Sequence, residues 1–307
     1  MSILITEFMD EQAVNELRQK FEVIHKPDAF AQPEQLVSEL ENALALIVRN
    51  QTKVTEALLS LAPQLKVVGR LGVGLDNINL DACKARGIKV IPATGANAHS
   101  VAEYVVVAAV SLLRRLPAAS QGMRVKGWCR TESSNGQEAP SRRLGIVGLG
   151  DIGCRVAQLA RGLGFECFGH DPYLKEAPAQ IQHLGFDDLL ETCDVITIHV
   201  PYTQATASMF NAQTIAAMRP GSILINTSRG GIVDENALLE ALQSGHLAGA
   251  AMDVFETEPL PAPTALANLE NVIVTPHISG VTQDSNQRVS HVIAQRVAHE
   301  LHQFSKG

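Results

Sequence analysis

The stretch from residue 144 to residue 171, LGIVGLGDIGCRVAQLARGLGFECFGHD, constrains the fold more than any other part of the chain. Its first four residues form a short apolar run, which is typical of a buried parallel strand. Gly148, Gly150 and Gly153 then give G-x-G-x-x-G where the strand must turn into a helix. The first glycine permits a tight turn, the second lets the backbone approach a pyrophosphate, and the third lets helix and strand pack closely. The stretch therefore predicts a dinucleotide-binding strand–helix–strand unit.

An acidic residue completes this pattern. The second predicted strand ends at Asp171, eighteen residues after Gly153. A carboxylate there can accept hydrogen bonds from both hydroxyls of an adenosine ribose and would repel a 2′-phosphate. The first turn of the helix, with Asp151 and Ile152, directs unpaired N–H groups and the positive end of the helix dipole at the phosphates. We therefore predict that the cofactor is NAD.

The bulk composition excludes several classes of protein. A chain of 307 residues with 46% apolar residues has the length for two domains and the material for a full core. The net charge of −7 argues against a nucleic-acid partner. The five cysteines contain no C-x-x-C pair, so we predict no metal site and a reducing compartment. We expect no leader peptide, no membrane span and a cytoplasmic location.

The rest of the chain alternates short apolar runs with helical patterns, which predicts an α/β protein with two doubly wound domains. We predict a Rossmann NAD-binding domain over residues 99–282. It is inserted into a smaller, flavodoxin-like substrate domain formed by residues 1–98 and 283–307. The last amphipathic helix, residues 283–304, is expected to return to the first domain.

A long helix is predicted over residues 100–116, closed by Pro117 and followed by a loop over residues 121–143. Its apolar face is unusually wide, which suits a core helix and also a subunit interface. We hold both interpretations and predict a homodimer through the 100–116 region. Trp128, the only tryptophan, is expected to pack against the protein or to line a cleft.

Three polar segments follow predicted strands, at the sheet edge where ligands bind in α/β folds. They place Arg229, Glu258 and His277 there. Each residue considered alone has a simpler interpretation. The arginine could form an ion pair with a neighbouring acid, the glutamate could be an ordinary loop residue, and the histidine could be buried with its hydrogen bonds satisfied. Beside a nicotinamide, the three suit carboxylate binding and proton transfer.

Several motifs occur together and in a fixed order: GRLGVGLDNINLDACKARGIKV, ANAHSVAEY, LGIVGLGDIG, HVPYT, NTSRGGIVDENAL, AAMDVFETEPLP and TPHISG. In these motifs the chain resembles the D-isomer-specific 2-hydroxyacid dehydrogenase family. That family includes D-3-phosphoglycerate, hydroxypyruvate/glyoxylate and D-lactate enzymes. The segments ILITEFMDE and ATGANAHSVAEY are most similar to sulfolactate-type and phosphoglycerate-type members. Many phosphoglycerate enzymes carry an appended regulatory domain, which we do not expect here.

The resemblance implies a role for each candidate substrate residue. His277 would exchange a proton with the substrate oxygen, Glu258 would orient its ring, and Arg229 would hold the substrate carboxylate. The backbone at Val73 and Gly74 would give a second carboxylate contact. Arg49 resembles a position that meets the distal group of larger substrates. A surface cation near Lys53 is the alternative interpretation of Arg49.

The resemblance also implies further cofactor contacts. Asp253 would bond the nicotinamide carboxamide, and other residues would line the cofactor: Val200, Pro201, Thr206, Thr227 and Gly280. The chain departs from the family at Ser141-Arg142-Arg143, where a glycine, a basic residue and a threonine are common.

We thus predict an NAD-dependent oxidoreductase that transfers a hydride between NAD(H) and a small D-2-hydroxy or 2-oxo acid. The substrate is of the 3-phosphoglycerate, hydroxypyruvate or sulfolactate type. The alternative is a non-catalytic, NAD-sensing scaffold with the same fold.

Overall fold

The structure is a computed structural model that describes residues 2–31, 36–174, 176 and 178–304. The chain divides into two compact units. The first comprises Met1–Asn97 and Val281–Gly307, and the second comprises Ala98–Gly280. Each unit is built on its own parallel sheet.

The described part of the first unit contains a five-stranded parallel sheet with the order β2-β1-β3-β4-β5. Its strands are β1 (Ser2–Ile5), β2 (Glu22–His25), β3 (Ala43–Val48), β4 (Val67–Arg70) and β5 (Lys89–Pro92). This is the strand order of the flavodoxin-like doubly wound sheet. The three central strands, β1, β3 and β4, are mostly apolar and buried on both faces, as parallel strands covered by helices must be.

Helices cover both faces of this sheet. They are α1 (Glu11–Arg18), α2 (Val37–Asn42), α3 (Glu56–Ser60), α4 (Leu80–Ala85) and α11 (Gln283–Phe304). The last helix packs against α1 and β4 with Val289, Ile293 and Val297 in the core. The C-terminal helix thus belongs to the same compact unit as the first part of the chain.

The described part of the second unit contains a seven-stranded parallel sheet with the order β12-β11-β10-β9-β6-β7-β8. Its strands are β6 (Arg143–Val147), β7 (Glu166–His170), β8 (Gln182–His183), β9 (Val195–Ile198), β10 (Ile223–Asn226), β11 (Gly249–Met252) and β12 (Val272–Val274). The order reverses between β6 and β9, as in a Rossmann sheet, and in sheets of this kind ligands bind at the carboxyl ends of the strands beside such a point.

Two helices of the second unit precede this sheet in the chain, α5 (Ala98–Leu113) and α6 (Leu116–Lys126). The crossovers between its strands contain α7 (Asp151–Gly162), α8 (Phe186–Thr192), α9 (Ala212–Ala217) and α10 (Glu235–Gln243). Asp234 caps α10 by accepting hydrogen bonds from the N–H groups of Asn236 and Ala237, both at 3.0 Å. One apolar core lies on each face of the sheet.

The predicted helix end at Pro117 and the predicted loop from residue 121 are wrong. The first helix ends at Leu113, and α6 begins at Leu116. Arg115 separates the two in the left-handed conformation, with φ of 54°. Pro117 lies in the first turn of α6, where its missing N–H leaves no hydrogen bond unmade.

Most of the wide apolar face of α5 lies in the core. This helix packs against α7 and the sheet, burying Val101, Val105, Ala109 and Leu112. Helix α6 buries none of its side chains. The expected packing of Trp128 is wrong, because this residue is 82% exposed.

Within the described ranges, no helix combines the length and the apolar character needed to cross a bilayer. The same ranges contain no cluster of three or more histidine, cysteine or acidic side chains suited to a metal ion.

Candidate active site

Arg229 lies in the turn that follows β10. The buried side chain of Asn226 shapes this turn: its Nδ2 donates to the carbonyl of Arg229 at 2.9 Å, and its Oδ1 accepts the N–H of Ser228 at 3.0 Å. The guanidinium of Arg229 is half-buried and donates from Nη1 to the carbonyl of Ser228 at 2.7 Å. The turn therefore holds the arginine at the rim of the sheet, as the sequence predicts for a cation after an apolar strand.

The next residue, Gly230, brings two backbone segments together. A Cβ at this position would lie 1.9 Å from the carbonyl oxygen of Phe255 and 2.5 Å from the nitrogen of Glu256. Only a residue without a side chain permits this approach. As a result, the turn that carries Arg229 lies directly against the segment that leads to Glu258.

Glu258 and His277 form a hydrogen-bonded pair. Nδ1 of His277 lies 2.6 Å from Oε2 of Glu258, while Oε1 of Glu258 accepts the N–H of Phe255 at 2.9 Å. The side chain of His277 is 49% exposed and that of Glu258 is 34% exposed, so the alternative of a buried histidine does not apply. Among the described residues, Nε2 of His277 has no partner. The carboxylate thus fixes the ring and leaves Nε2 available to a substrate.

Asp253 holds the segment that carries His277. This fully buried carboxylate accepts the hydroxyl of Thr275 at 2.6 Å and the N–H groups of Ile278 and Ser279, both at 2.8 Å. Its carbonyl accepts the N–H of His277 at 2.8 Å. His277 has φ of 57°, a conformation that is uncommon for residues other than glycine. These bonds hold it there, a role that the sequence-based prediction for Asp253 missed.

Tyr104 extends this network to α5. Its hydroxyl lies 2.6 Å from Oγ1 of Thr275. Because Thr275 donates its own proton to Asp253, Tyr104 must be the donor in this bond. Burial raises the pKa of Tyr104, the hydrogen bond with Thr275 opposes the shift, and the charge of Asp253 adds to it. Tyr104 therefore stays protonated, as this role requires.

The glycine turn has the geometry that a pyrophosphate needs. Gly148 has φ of 95°, and a Cβ at Gly153 would lie 2.2 Å from the carbonyl oxygen of Gly148. A Cβ at Gly150 would meet nothing within 4 Å. No side chain caps α7, whereas Asn211 caps α9 and Asp234 caps α10. The first-turn N–H groups of α7, from Asp151 to Gly153, are thus open to an anion.

Two further groups fit a dinucleotide. Asp171 follows β7, and its carboxylate accepts the N–H of Leu149 at 3.0 Å and that of Tyr173 at 3.0 Å. This places the acid beside the glycine turn. In the described part of the chain, the buried Oγ1 of Thr227 has no hydrogen-bond partner. An unpaired buried hydroxyl is costly, so a bound group that supplies a partner would be stabilised there.

Several other predicted cofactor residues lie in the loop after β9. Oγ1 of Thr206 donates to the carbonyl of Pro201 at 2.6 Å and accepts the N–H of Thr203 at 2.8 Å, so this side chain closes the turn. The carbonyl of Val200 accepts the hydroxyl of Ser228, which ties this loop to the Arg229 turn.

His199 directly follows β9, and Gly280 is the last residue of the second unit. Burial lowers the pKa of His199 to about 3, so this histidine stays neutral beside Thr197. Gly280 ends the second unit, immediately after the segment that Asp253 holds.

On the first unit, Val73 and Gly74 follow β4. Val73 is 38% exposed. Within the described residues, the backbone N–H groups of these two residues have no protein acceptor. They are therefore available to bind an anion such as a carboxylate.

Arg49 follows β3 in the same unit. It is half-buried, and its Nη2 donates to Oδ1 of Asn286 at 2.8 Å. Burial lowers the pKa of Arg49, and the charge of Glu7 opposes this shift. The alternative of a free surface cation does not describe this environment.

The family profile "D-isomer specific 2-hydroxyacid dehydrogenase, NAD binding domain" matches residues 106–279, more than half of the chain. The chain belongs to the D-isomer specific 2-hydroxyacid dehydrogenase family. The resemblance found in the sequence motifs is therefore confirmed.

Individual relatives agree with this assignment. A (S)-sulfolactate dehydrogenase from Chromohalobacter salexigens is 43% identical over 97% of this chain and 98% of its own length. A D-3-phosphoglycerate dehydrogenase from Bacillus subtilis is 41% identical over 99% of this chain, which spans 57% of that longer enzyme. The crystal structure of a D-lactate dehydrogenase from Aquifex aeolicus, complexed with NAD and lactic acid, superposes with a TM-score of 0.83. It is 30% identical, covering 98% of this chain and 95% of the other.

The family assignment confirms three of the predictions made above. The fold class is two doubly wound α/β units, one of them a Rossmann unit. The cofactor is NAD, and the protein is an NAD-dependent oxidoreductase. The alternative of a non-catalytic scaffold receives no support from these relatives.

Proposed function

We propose that this protein interconverts a 2-oxo acid and the corresponding D-2-hydroxy acid, and that the substrate carries a distal anionic group. The observation that carries the proposal is the Glu258–His277 pair with its free Nε2. The segment that leads to Glu258 packs at Phe255 against Gly230, in the turn of Arg229. A proton donor and a cation in adjacent segments suit a reaction in which negative charge develops on the substrate oxygen.

The residues divide this chemistry between them. Arg229 binds the substrate carboxylate through its planar guanidinium. His277 gives a proton from Nε2 to the C2 oxygen during reduction and takes it back during oxidation. Glu258 accepts the hydrogen bond from Nδ1, which fixes the orientation of the ring. When bound, NAD(H) would supply the hydride chemistry at C2.

We assign the cofactor to the second unit. The N–H groups at Gly150, Asp151, Ile152 and Gly153 would bind the pyrophosphate, and Asp171 would bind the ribose hydroxyls. Other residues would line the rest of the cofactor: Gly148, Val200, Pro201, Thr206, Thr227, Asp253 and Gly280. Residues 99–282 would thus form the NAD-binding domain, and residues 1–98 and 283–307 the substrate domain.

On the first unit, we propose the free N–H groups of Val73 and Gly74 as a second contact for the substrate carboxylate. Arg49 would bind the distal anion. The relatives support this choice of substrate class, since sulfolactate and 3-phosphoglycerate both carry an anionic group at the far end from the carboxylate.

The test is oxidation of NADH by the purified protein across a panel of 2-oxo acids. The panel contains glyoxylate, pyruvate, sulfopyruvate, hydroxypyruvate and its phosphate ester, oxaloacetate and 2-oxoglutarate. We expect the highest kcat/KM for sulfopyruvate or the phosphate ester. Activity on small uncharged side chains alone would reject the distal anion. Silence across the panel with NADH still bound would reject the activity itself.

We also propose a homodimer. The apolar side chains that α5, α6 and the following segment expose are candidates for the interface: Val107, Leu116, Met123, Val125 and Trp128. Light scattering after gel filtration should give twice the mass of one chain. Val125→Ser should lower that mass, whereas Phe8→Ser, at an exposed apolar residue of the first unit, should not.

Finally, we propose a cytoplasmic location. All five cysteines are free. Burial raises the pKa of Cys193 to about 12 and that of Cys167 to about 11, so these thiols stay protonated. Free thiols suit a reducing compartment. Cell fractionation that recovers the protein with membranes or outside the cell would reject this location.

A further inference from the structure

The turn that begins with Arg49 is built on a buried carboxylate. Oε1 of Glu7 accepts the N–H groups of Arg49 at 2.8 Å and Thr52 at 2.9 Å. Oε2 accepts those of Asn50 at 3.2 Å and Gln51 at 3.0 Å. Glu7 is only 2% exposed. One carboxylate thus satisfies four consecutive backbone N–H groups, which is its full capacity as an acceptor.

The carbonyl side of the same turn is held by a second buried group. Nδ2 of Asn77 donates to the carbonyl of Arg49 at 3.2 Å and to that of Thr52 at 2.8 Å. Oγ1 of Thr52 lies 2.8 Å from Oγ1 of Thr6. The turn after β3 is therefore fixed on both of its hydrogen-bonding sides, unlike an ordinary surface loop.

The side chain of Arg49 is held separately. Its Nη2 donates to Oδ1 of Asn286 on α11 at 2.8 Å. Among the described residues, Arg49 forms no ion pair with a carboxylate. Its guanidinium has a neutral partner that directs it and leaves its charge available to an incoming anion.

Glu7 also acts on the charge of Arg49. Burial lowers the pKa of this arginine, and the negative charge of Glu7 opposes that shift. Since the four N–H groups occupy the carboxylate, Glu7 stabilises the cation without forming a direct ion pair with it. A buried carboxylate is costly unless it is fully hydrogen-bonded, and this one is.

We propose that Glu7 is a positioning residue which, together with Asn286, holds Arg49 as the receptor for the distal anion of the substrate. This inference rests on the proposed function. It assigns the preference for a distal sulfonate or phosphate to the Glu7-supported turn, rather than to Arg49 alone.

The variant that tests it is Glu7→Gln. The amide keeps the size of the side chain, but its NH₂ group would face two of the four N–H donors, so the turn cannot keep its geometry. The readout is the ratio of kcat/KM for two substrate pairs: hydroxypyruvate phosphate against hydroxypyruvate, and sulfopyruvate against pyruvate. We expect this ratio to fall by about 10-fold through a higher KM for the anionic member, the effect of one weakened charged hydrogen bond.

Glu300→Gln is the matched control. Glu300 is another buried carboxylate of the first unit, and it pairs with Lys89 instead of the Arg49 turn. It should change thermal stability without changing the ratio. The conservative variant Glu7→Asp keeps a carboxylate under the turn and should recover part of the preference. If Glu7→Gln does not fold, Glu7→Asp tests the role of Glu7, since its shorter side chain supports the turn less well and should lower the ratio below that of the wild type. Asn286→Ala tests the direct partner of Arg49 separately and should lower the same ratio.

Three outcomes would contradict the inference. An unchanged ratio in folded Glu7→Gln, with the wild type preferring the anionic substrates, would overturn the role of Glu7 alone. An unchanged ratio in Asn286→Ala would overturn the role of Asn286. A wild-type enzyme without this preference would overturn both the inference and the distal anion of the proposed function, while activity on the other 2-oxo acids would leave the dehydrogenase reaction standing.

Discussion

The carbonyl oxygen of Phe255 occupies the space that a side chain at Gly230 would need, 1.9 Å from the position of the missing Cβ. This contact joins the turn of Arg229 to the segment of Glu258. Two groups that lie 29 residues apart in the sequence are thereby fixed on neighbouring segments. The contact is made by backbone, which cannot move aside as a flexible side chain can.

We therefore predict that Gly230→Ala separates the two segments and impairs both stability and catalysis. Overpacking of this kind costs about 1–3 kcal/mol or more of unfolding free energy. Thermal denaturation and kcat/KM measure the two effects. Gly162→Ala is the control, because a Cβ at this position in α7 meets nothing within 4 Å and alanine favours a helix. Equal behaviour of the two variants would contradict the backbone contact.

His277→Ala should remove proton transfer while leaving the cofactor site intact. We expect kcat to fall by about 10²–10⁴-fold, the usual contribution of a general acid, with little change in NADH affinity. Steady-state kinetics and fluorescence titration with NADH check the two parts. His291→Ala is the matched control, since His291 also pairs through Nδ1 with a carboxylate, that of Glu16, at 3.0 Å. Unchanged turnover in His277→Ala would reject the catalytic role.

Asp253→Asn separates two roles of one residue. Ile278 and Ser279 donate fixed N–H groups to different oxygens of this carboxylate, so an amide must place its NH₂ group against one of them. If Asp253 acts mainly by holding His277, kcat should fall by about 10-fold or more with NADH affinity kept, as for a displaced catalytic group. If NADH affinity falls instead, the result would favour the predicted contact of Asp253 with the nicotinamide carboxamide. Asp234→Asn, a helix cap that tolerates the exchange, serves as the control.

The sequence predicts the long periodic elements well. The apolar patterns of β3 and α11 and the N-cap residue of α10, Asp234, can be recognised in the sequence, and the predicted bounds of α11 agree with the structure. These elements have strong apolar patterns and clear end signals, so local sequence determines them. Short elements such as α2 and α4 were not predicted, because six residues give too little periodicity to detect.

The errors have a shared physical cause. Pro117 suits a helix end and also a first helical turn, and the left-handed Arg115 that decides between them is not visible in the sequence. The roles of Glu7 and Asp253 depend on backbone N–H groups far along the chain. The local signal of either role is an acid within two residues of the end of an apolar strand, and such an acid can equally face solvent.

Asp171→Ala tests the choice between NAD and NADP. Removing the carboxylate removes the predicted acceptor for the ribose hydroxyls and the repulsion of a 2′-phosphate. We expect the preference for NADH over NADPH to narrow by about 10-fold, as for one charged hydrogen bond. The ratio of kcat/KM for the two cofactors measures it, with Asp187→Ala, an exposed acid on α8 of the same unit, as the control. An unchanged ratio would mean that another group binds the ribose hydroxyls and sets the preference between the two cofactors.

Gly150→Ala separates folding from cofactor binding at the glycine turn. A Cβ there meets nothing within 4 Å, and φ is −72°, which alanine adopts freely. The unliganded protein should therefore lose less than about 1 kcal/mol of stability, the difference between glycine and alanine at a helix N-cap. The new methyl group would nevertheless occupy the space in which the pyrophosphate approaches the backbone, so NADH affinity should fall by about 10-fold or more. Titration of NADH alongside thermal denaturation without cofactor measures both quantities. Gly153→Ala should show the opposite result, a loss of stability in the protein without cofactor, because its Cβ would lie 2.2 Å from the carbonyl oxygen of Gly148. Unaltered NADH affinity in a stable Gly150→Ala protein would place the pyrophosphate elsewhere.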